Sequence, residues 1–166
     1  MHVYTLKGEF AVYPKILHNG NDFFRKMTYS KRDIAICKLL MKNPHNNIVE
    51  IYNVGKEWFG DHYIDMELLN TDTNSLTMPN IKEIMLNVKT YLQQIGVIYI
   101  DWKMDNMGMS KNGTLKLFDF DASGLINIET NEWIIDPPHW WSYRQAIQNG
   151  MNTPIDIDNY AFCLLE

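Results

Sequence analysis

The sequence predicts an α+β fold in which most of the sheet lies in the first part of the chain. Of its 166 residues, 46% are hydrophobic and 21% are charged, which is the composition of a folded globular protein. Short runs of aromatic and β-branched residues, separated by turn signals, dominate as far as residue 70 and predict strands. Apolar stripes at helical spacing interrupt and follow these runs. A chain of this length forms one ordinary domain or two very small lobes.

Three strands are predicted before residue 30, over residues 3–6, 9–17 and 23–28. Each segment is rich in the aromatic and branched side chains that favour extended backbone. Asn19 and Gly20 lie between the second and third segments, and this dipeptide readily adopts the positive φ angles of a tight turn. The pattern therefore predicts a hairpin there.

The first helix is predicted to begin after Ser30 and to end before Pro44. Asp33 stands three residues after Ser30, as in a capping box. Two further strands are predicted over residues 48–54 and 62–69. The apolar stripe of the helix comprises Ile34, Cys37, Leu40 and Met41.

Residues 81–95 give the clearest helical pattern in the chain. Asn80 and Glu83 form a second capping-box pair, and Gly96 supplies a C-terminal stop signal. The apolar stripe consists of Ile81, Ile84, Met85, Val88, Leu92 and Ile95.

The remaining elements of the chain are shorter. A brief apolar run covers residues 97–100, and residues 111–113, with the sequence Lys-Asn-Gly, predict a hairpin. Residues 124–150 are predicted to be irregular. A last helix is predicted from Thr153 and Pro154 onward, without a stop signal before the end of the sequence.

Composition and charge exclude several classes of function. The net charge is -5 and the pI is near 5.5, so the overall basic footprint of a nucleic-acid-binding protein is absent. Apolar runs are shorter than the ~18 residues that span a bilayer, and the first residues lack the layout of a secretory signal. We therefore expect neither a nucleic-acid nor a membrane partner.

The two cysteines indicate a reducing compartment. Cys37 and Cys163 lie far apart in apolar, helix-like runs, which predicts two core thiols rather than a disulfide or a zinc site. A cytoplasmic location fits this pattern. The excess of 17 Asn and 18 Ile over 5 Ala is typical of an AT-rich genome, such as that of a large DNA virus, a bacterium or a parasite. A viral protein of this kind would act in the host cytoplasm.

The chemistry is concentrated in residues 99–121. Asp101, Lys103 and Asn106 lie on one loop, and Asp119 follows the predicted hairpin, whose two ends must meet. An amide oxygen and a carboxylate are suitable Mg²⁺ ligands, so Asn106 and Asp119 form a candidate metal pair. Asp101 can accept a proton from a hydroxyl group, and Lys103 can place a positive charge on a transferring phosphoryl group. These are the components that phosphoryl transfer requires.

This segment resembles the catalytic loop of the eukaryotic-type protein kinase superfamily. That family has Asp, Lys and Asn at relative positions 0, 2 and 5, followed by an Asp-Phe-Gly motif. Asp119 and Phe120 match the second motif, with Asp121 in place of its glycine. Residues 45–49 resemble the segment after the family's αC helix, and residues 156–162 resemble the start of its αF helix, whose leading aspartate braces the catalytic loop.

The resemblance implies a minimal two-lobed fold that binds ATP and Mg²⁺. Residues 1–69 would form an N-lobe-like segment, and residues 70–166 a truncated C-lobe-like segment that ends at the αF-like helix. Asp101 and Lys103 would be catalytic, and Asn106 and Asp119 would bind the metal. Lys26, or Lys15 as the second choice, would hold the ATP phosphates, with Asp33 as its partner. The other nucleotide-binding positions that the resemblance implies are Gly8, Val12, Met66, Glu67 and Leu68.

The departures from the family pattern leave several functions open. Tyr99 and Ile100 replace the family's His-Arg pair, so control by activation-loop phosphorylation is not expected. A serine/threonine-type protein kinase is the first hypothesis. A kinase-like decoy that binds a host kinase or its substrate is the second, and a small-molecule kinase is the third. Trp140 and Trp141 are predicted to pack in the core or between the lobes, or otherwise to form a partner surface; a homodimer is a further hypothesis.

Overall fold

The computed structural model describes residues 2–5, 9–12, 23–56, 61–72 and 80–165, the first two ranges as backbone only. The chain divides into two compact units. The first comprises Met1–Asn70 and Met109–Lys116, and the second comprises Thr71–Gly108 and Leu117–Glu166. The tip of the hairpin around residues 111–113 therefore groups with the first unit. The predicted turn at Asn19 and Gly20 lies outside the described residues.

The first unit contains a five-stranded antiparallel sheet. Its strand order is β1-β2-β3-β5-β4. Tyr63 lies opposite Gly55 in this sheet, and a Cβ atom on Gly55 would meet the Tyr63 ring at 2.2 Å, so a side chain at this position would require the ring to move. The strands are β1 (His2–Thr5), β2 (Glu9–Val12), β3 (Phe23–Thr28), β4 (Ile51–Lys56) and β5 (His62–Glu67).

Helix α1 (Lys31–Lys42) packs on this sheet. The predicted N-cap is confirmed, because the Ser30 side chain accepts a hydrogen bond from the backbone N–H of Asp33. The Ser30 N–H donates to the Thr28 hydroxyl, whereas in a capping box it would donate to the Asp33 side chain. The buried face of the helix includes Ile34, Ile36, Cys37 and Leu40, and it covers the apolar side of the sheet. Burial of this stripe is the main driving force for docking the helix.

The second unit is built around helix α2 (Ile81–Gln94), which begins and ends close to the predicted bounds. Gly96 follows it with a φ of 85°, the left-handed conformation expected of a C-terminal glycine. The prediction of a second capping box is wrong, because Asn80 makes no side-chain capping hydrogen bond. Its ψ of 21° departs from the extended backbone that an N-cap residue requires.

Residues 124–150 are more ordered than the sequence predicted. They form β9 (Gly124–Asn127), β10 (Glu132–Ile135) and α3 (Trp141–Gln148). Each strand has only four residues, and α3 has only Ala146 as a buried residue and no side-chain cap, so the local signals are weak. Strand β6 (Val97–Ile98) pairs with β9, and this long-range pairing organises the segment.

The hairpin predicted around residues 111–113 is confirmed. It consists of β7 (Met107–Met109) and β8 (Leu115–Leu117), and Gly113 has a φ of 78° at the turn. A short 3₁₀ turn, Met104–Asn106, leads directly into β7.

The last helix, α4 (Pro154–Cys163), begins where predicted, with Thr153 accepting a hydrogen bond from the Asp156 N–H. It ends at Cys163 rather than continuing to the end of the sequence. Cys37 is buried as predicted, whereas Cys163 is exposed because it falls one residue beyond the buried stripe of α4. Within the described ranges, no helix is long and apolar enough to cross a membrane.

Candidate active site

The loop predicted to be catalytic follows strand β6 directly. Ile100 has a φ of 68°, a left-handed conformation that a β-branched residue rarely adopts, so its surroundings must hold it there. The backbone N–H of Ile100 donates to Asp158 Oδ1 at 3.0 Å. Asp158 Oδ1 also accepts from the indole N–H of Trp102 at 2.7 Å. One carboxylate oxygen therefore holds the backbone of Ile100 and the indole ring of Trp102, the two neighbours of Asp101.

Asp101, Lys103 and Asn106 form one cluster, as their spacing predicted. Asn106 Nδ2 donates to the backbone oxygen of Asp101 at 2.9 Å and to its Oδ2 at 2.8 Å. Lys103 Nζ lies 3.1 Å from the same Oδ2. The Lys103 side chain is 51% exposed and that of Asp101 is 20% exposed, so both groups can reach a substrate in solution.

Asp119 is tied to this cluster through its neighbour Phe118. The Phe118 N–H donates to the Asn106 backbone oxygen at 2.9 Å. The Phe118 oxygen accepts from the Tyr99 hydroxyl at 2.6 Å. Asp119 itself has a φ of 61°, and its Oδ1 accepts from the Asp121 N–H at 3.2 Å. The two ends of the hairpin therefore meet, as the sequence predicted.

Several negative charges surround the buried Tyr99 hydroxyl. Burial raises the pKa of Tyr99 well above its usual value of 10.0, and the charges of Asp119, Asp101 and Asp121 raise it further. A hydrogen bond with Asn106 acts in the opposite direction. The charges of three carboxylates therefore act on one buried phenol.

The donor set fits Mg²⁺. Within the described residues, no group of three or more His, Cys, Asp and Glu side chains could hold a metal ion. Mg²⁺ does not require such a group, because one or two protein oxygens with waters and phosphates complete its shell. The amide nitrogen of Asn106 is engaged by Asp101, so the amide oxygen is the atom that would contact a metal.

The prediction of which aspartate braces the loop is wrong, because Asp158 makes these contacts. The resemblance implied that the leading aspartate of residues 156–162 braces the loop, but Asp156 is exposed in the first turn of α4. Asp158 lies on the buried stripe with Ile157 and Ala161, and its Oδ2 also accepts from Gln93 Nε2 at 2.9 Å. A carboxylate at an apolar position of a helix was the signal that could have identified it.

Lys26 and Asp33 form an ion pair in the first unit. Lys26 Nζ lies 3.4 Å from Asp33 Oδ2, which also accepts from the Thr28 hydroxyl at 3.1 Å. The short spacing between the two residues is sufficient because only Tyr29 and Ser30 separate β3 from α1. Asp33 therefore serves both the helix cap, through its backbone, and the lysine, through its side chain.

The remaining predicted nucleotide-binding residues lie mostly on the same sheet. Met66 and Glu67 end β5, and Leu68 follows it. The Glu67 side chain accepts from the Glu50 N–H at 3.1 Å and from Lys116 Nζ at 2.7 Å. Val12 ends β2, whereas Gly8 and Lys15 lie outside the described residues.

Two features of the structure were not predicted from the sequence. Arg25 contacts Asp65 through two hydrogen bonds of 2.6 and 2.8 Å, and the pair had no local signal because it joins adjacent strands. Trp140 and Trp141 are 52% and 65% exposed, so the prediction that they pack in the core is wrong. The alternative, that the two tryptophans form a partner surface, stays a prediction.

The chain is similar to several protein kinases. It is 26% identical over 174 residues to the probable serine/threonine-protein kinase mkcB of Dictyostelium discoideum, covering 89% of this chain and 24% of that protein. It is 30% identical over 173 residues to mitogen-activated protein kinase 4a of Physcomitrium patens, covering 92% of this chain and 44% of that protein. Serine/threonine-protein kinase PAK 5 of Rattus norvegicus is 27% identical over 134 residues, covering 74% of this chain and 18% of that protein.

These similarities support a protein-kinase-like relationship. No protein-family model matches the chain. The chain spans less than half the length of each of these relatives. None of the three organisms is a virus, so a viral source stays a prediction. The mixed helix and sheet content is compatible with a kinase-like fold.

Proposed function

We propose that the chain is an ATP- and Mg²⁺-dependent phosphotransferase that acts on a hydroxyl acceptor, with serine or threonine of a protein as the first expectation. The observation that carries the proposal is the cluster of Asp101, Lys103 and Asn106, in which one carboxylate oxygen contacts both an amide and an ammonium group. The relatives named above are serine/threonine and mitogen-activated protein kinases, which supports the same class of reaction.

In this proposal Asp101 positions the acceptor hydroxyl and accepts its proton. The acceptor oxygen forms a bond to the γ-phosphorus of ATP, the bond from that phosphorus to the bridging oxygen breaks, and ADP leaves. Lys103 stabilises the charge on the transferring group. Asn106 and Asp119 would hold Mg²⁺, which supplies charge neutralisation for the phosphates. Lys26, oriented by Asp33, would contact the phosphates of ATP.

Thermal unfolding with ATP tests this proposal directly. ATP at 100 times its dissociation constant adds about 2.7 kcal/mol to the free energy of unfolding, which raises the midpoint by several degrees. We expect the shift to require Mg²⁺ and to be lost in Asp119→Asn. Asp105→Asn is the matched control, because Asp105 is an exposed acid in the 3₁₀ turn of the same loop.

A transfer assay separates binding from chemistry. Asp101→Asn is expected to keep the Mg²⁺-dependent ATP shift and to lose phosphoryl transfer, because the amide cannot accept the proton. Transfer at the wild-type rate by this variant would refute the role of Asp101. The absence of any shift at millimolar ATP would refute the phosphotransferase proposal and would favour the decoy hypothesis.

A further inference from the structure

The start of helix α1 differs from a capping box in one hydrogen bond. In a capping box, the N–H of the N-cap residue donates to the side chain of the residue three positions later. Here the Ser30 N–H donates to the Thr28 hydroxyl oxygen at 3.1 Å instead. The reciprocal bond is present, because the Asp33 N–H donates to the Ser30 hydroxyl at 3.2 Å. The Thr28 hydroxyl therefore takes the place that the sequence pattern predicts for the Asp33 carboxylate.

The Thr28 hydroxyl also holds the Asp33 carboxylate. Thr28 Oγ1 donates to Asp33 Oδ2 at 3.1 Å while it accepts from the Ser30 N–H. A hydroxyl group has one donor and two acceptor sites, so it makes both bonds at once. Thr28 is 6% exposed and Asp33 is 5% exposed, so water has little access to replace either bond.

The direction of the Asp33 carboxylate decides which group it serves. Asp33 Oδ2 lies 3.4 Å from Lys26 Nζ, and the Lys26 side chain is only 12% exposed. Lys26 and Thr28 are two residues apart on β3, so their side chains project from the same face of the strand. The bond from Thr28 therefore draws the carboxylate toward the lysine. Without the hydroxyl, the Ser30 N–H would need another acceptor, and the Asp33 carboxylate is the one that capping-box geometry supplies.

We propose that Thr28 is a positioning residue for Lys26: its hydroxyl takes the Ser30 N–H and thereby keeps the Asp33 carboxylate on the lysine. Removal of the hydroxyl lets the carboxylate turn to the Ser30 N–H and complete an ordinary capping box. The helix then stays capped, but Lys26 loses the group that orients it. This inference rests on the proposed role of Lys26 at the ATP phosphates and adds the residue that sets its position.

Thr28→Val tests the inference, because valine keeps the branched shape of threonine and lacks its hydroxyl. We expect the dissociation constant for ATP with Mg²⁺, measured by titration calorimetry, to rise by roughly tenfold, the scale of one lost hydrogen bond to a charged group. Thr28→Ser keeps the hydroxyl and should bind ATP as the wild type does. Thr90→Val is the matched control, because the Thr90 hydroxyl is exposed and donates to the Leu86 oxygen within α2.

The stability of the variants separates positioning from a purely structural role. A structural threonine would affect the free energy of unfolding and leave the ATP affinity of the folded protein unchanged. We expect Thr28→Val to unfold at urea concentrations close to those of the wild type, because the Ser30 N–H exchanges one acceptor for another. Thr28→Ala removes the hydroxyl with less bulk, and it should weaken ATP binding in the same way if Thr28→Val does not fold.

The effect on ATP must pass through Lys26. In a Lys26→Met background, Thr28→Val should cause no further loss of ATP affinity, because the group that Asp33 orients is absent. Additive losses in the double variant would overturn the inference. An ATP affinity of Thr28→Val equal to that of the wild type, or equal losses in Thr28→Val and Thr28→Ser, would overturn it as well.

Acetylation of lysines without nucleotide separates this inference from the proposed function. Acetic anhydride reacts with the deprotonated amine only, and a neighbouring carboxylate favours the ammonium form. We expect Thr28→Val to raise the acetylation rate of Lys26 relative to that of the exposed Lys31, measured by mass spectrometry, and Thr28→Ser to leave the ratio unchanged. That result supports the inference even if the wild type binds no ATP, which would refute the proposed function. An unchanged ratio in Thr28→Val would overturn the inference and leave the proposed function intact.

Discussion

Asp65 and Asp158 are nearly inaccessible carboxylates that the two units of the chain hold in opposite ways. Asp65 is 1% exposed and binds the guanidinium of Arg25 through two hydrogen bonds. Asp158 is 0% exposed and accepts hydrogen bonds from the uncharged donors of Ile100, Trp102 and Gln93. Lys89 lies near enough for its charge to favour the ionised form of Asp158.

The difference shows how a buried acid can serve two purposes. The Arg25–Asp65 pair joins two neighbouring strands, and Arg25 also lies 3.9 Å above the centre of the Tyr63 ring, so the contact stabilises a sheet. The Asp158 contacts join a helix to a loop with an unusual backbone, so they shape the candidate active site. We expect damage to the first contact to affect stability, and damage to the second to affect both stability and transfer.

The largest effect is expected from Asp158→Ala. The backbone N–H of Ile100 and the indole N–H of Trp102 would lose their acceptor in the interior, and each unsatisfied buried donor costs about 1–3 kcal/mol. We expect the free energy of unfolding, measured by urea titration, to fall by about 4 kcal/mol in total. Asp156→Ala, an exposed acid in the same helix, is the control and should change stability far less. Equal losses in the two variants would contradict the bracing role of Asp158.

Removal of the guanidinium is expected to have the next largest effect. Arg25→Ala leaves the Asp65 carboxylate without its bidentate partner in the interior, and breaking a buried pair in this way costs about 3 kcal/mol. Urea titration of Arg25→Ala beside Arg144→Ala, an exposed arginine, measures the difference. Addition of Asp65→Asn to Arg25→Ala should cost less than the sum of the single changes. Strict additivity would show that the pair does not act as a unit.

The third prediction concerns the pH dependence of stability that the protonation of Asp158 causes. Burial raises the pKa of Asp158 above its usual value of 3.8, while its hydrogen bonds and Lys89 oppose that shift. Between 3.8 and the raised pKa, the folded state holds a proton that the unfolded state has lost, so the contribution to stability falls as pH rises. The stability of the wild type relative to Asp158→Asn should therefore decrease as pH rises above 3.8. A constant difference across that range would contradict the shift.

The smallest effect on stability is expected from Tyr99→Phe. The variant loses the hydrogen bond from the Tyr99 hydroxyl to the Phe118 oxygen, which is worth about 1 kcal/mol. Because Phe118 precedes Asp119, we expect the Mg²⁺ concentration needed for the ATP-dependent thermal shift to rise. Tyr160→Phe serves as the control in the same unit. An unchanged Mg²⁺ requirement would limit Tyr99 to a packing role.

Local patterns predicted the elements on which the candidate site is built. Ser30 was identified as the N-cap of α1 because its hydrogen bond with Asp33 spans only three residues. The hairpin at residues 111–113 was identified because Gly113 must adopt a positive φ angle there. The spacing of Asp101, Lys103 and Asn106 likewise placed three polar side chains within one short loop.

The failed predictions involve contacts between distant residues or the geometry of one backbone angle. Asn80 has a capping-box sequence but a backbone that prevents the capping bond. The pairing of β6 with β9 gives order to a segment with weak local signals. Trp140 and Trp141 have the composition of core residues, yet the fold places them on the surface.

The sequence by itself determined where α1, α2 and α4 begin, where the chain turns at residues 111–113 and which polar residues share the loop at 101–106. These features depend on hydrogen bonds and torsion angles within a few residues, so the local order of side chains determines them. Only the tertiary structure decided that Asp158 rather than Asp156 braces the loop, and that Arg25 pairs with Asp65. The Asp158–Ile100 and Arg25–Asp65 contacts join residues 58 and 40 positions apart, and burial of a polar group is stable only where the whole fold supplies its partner.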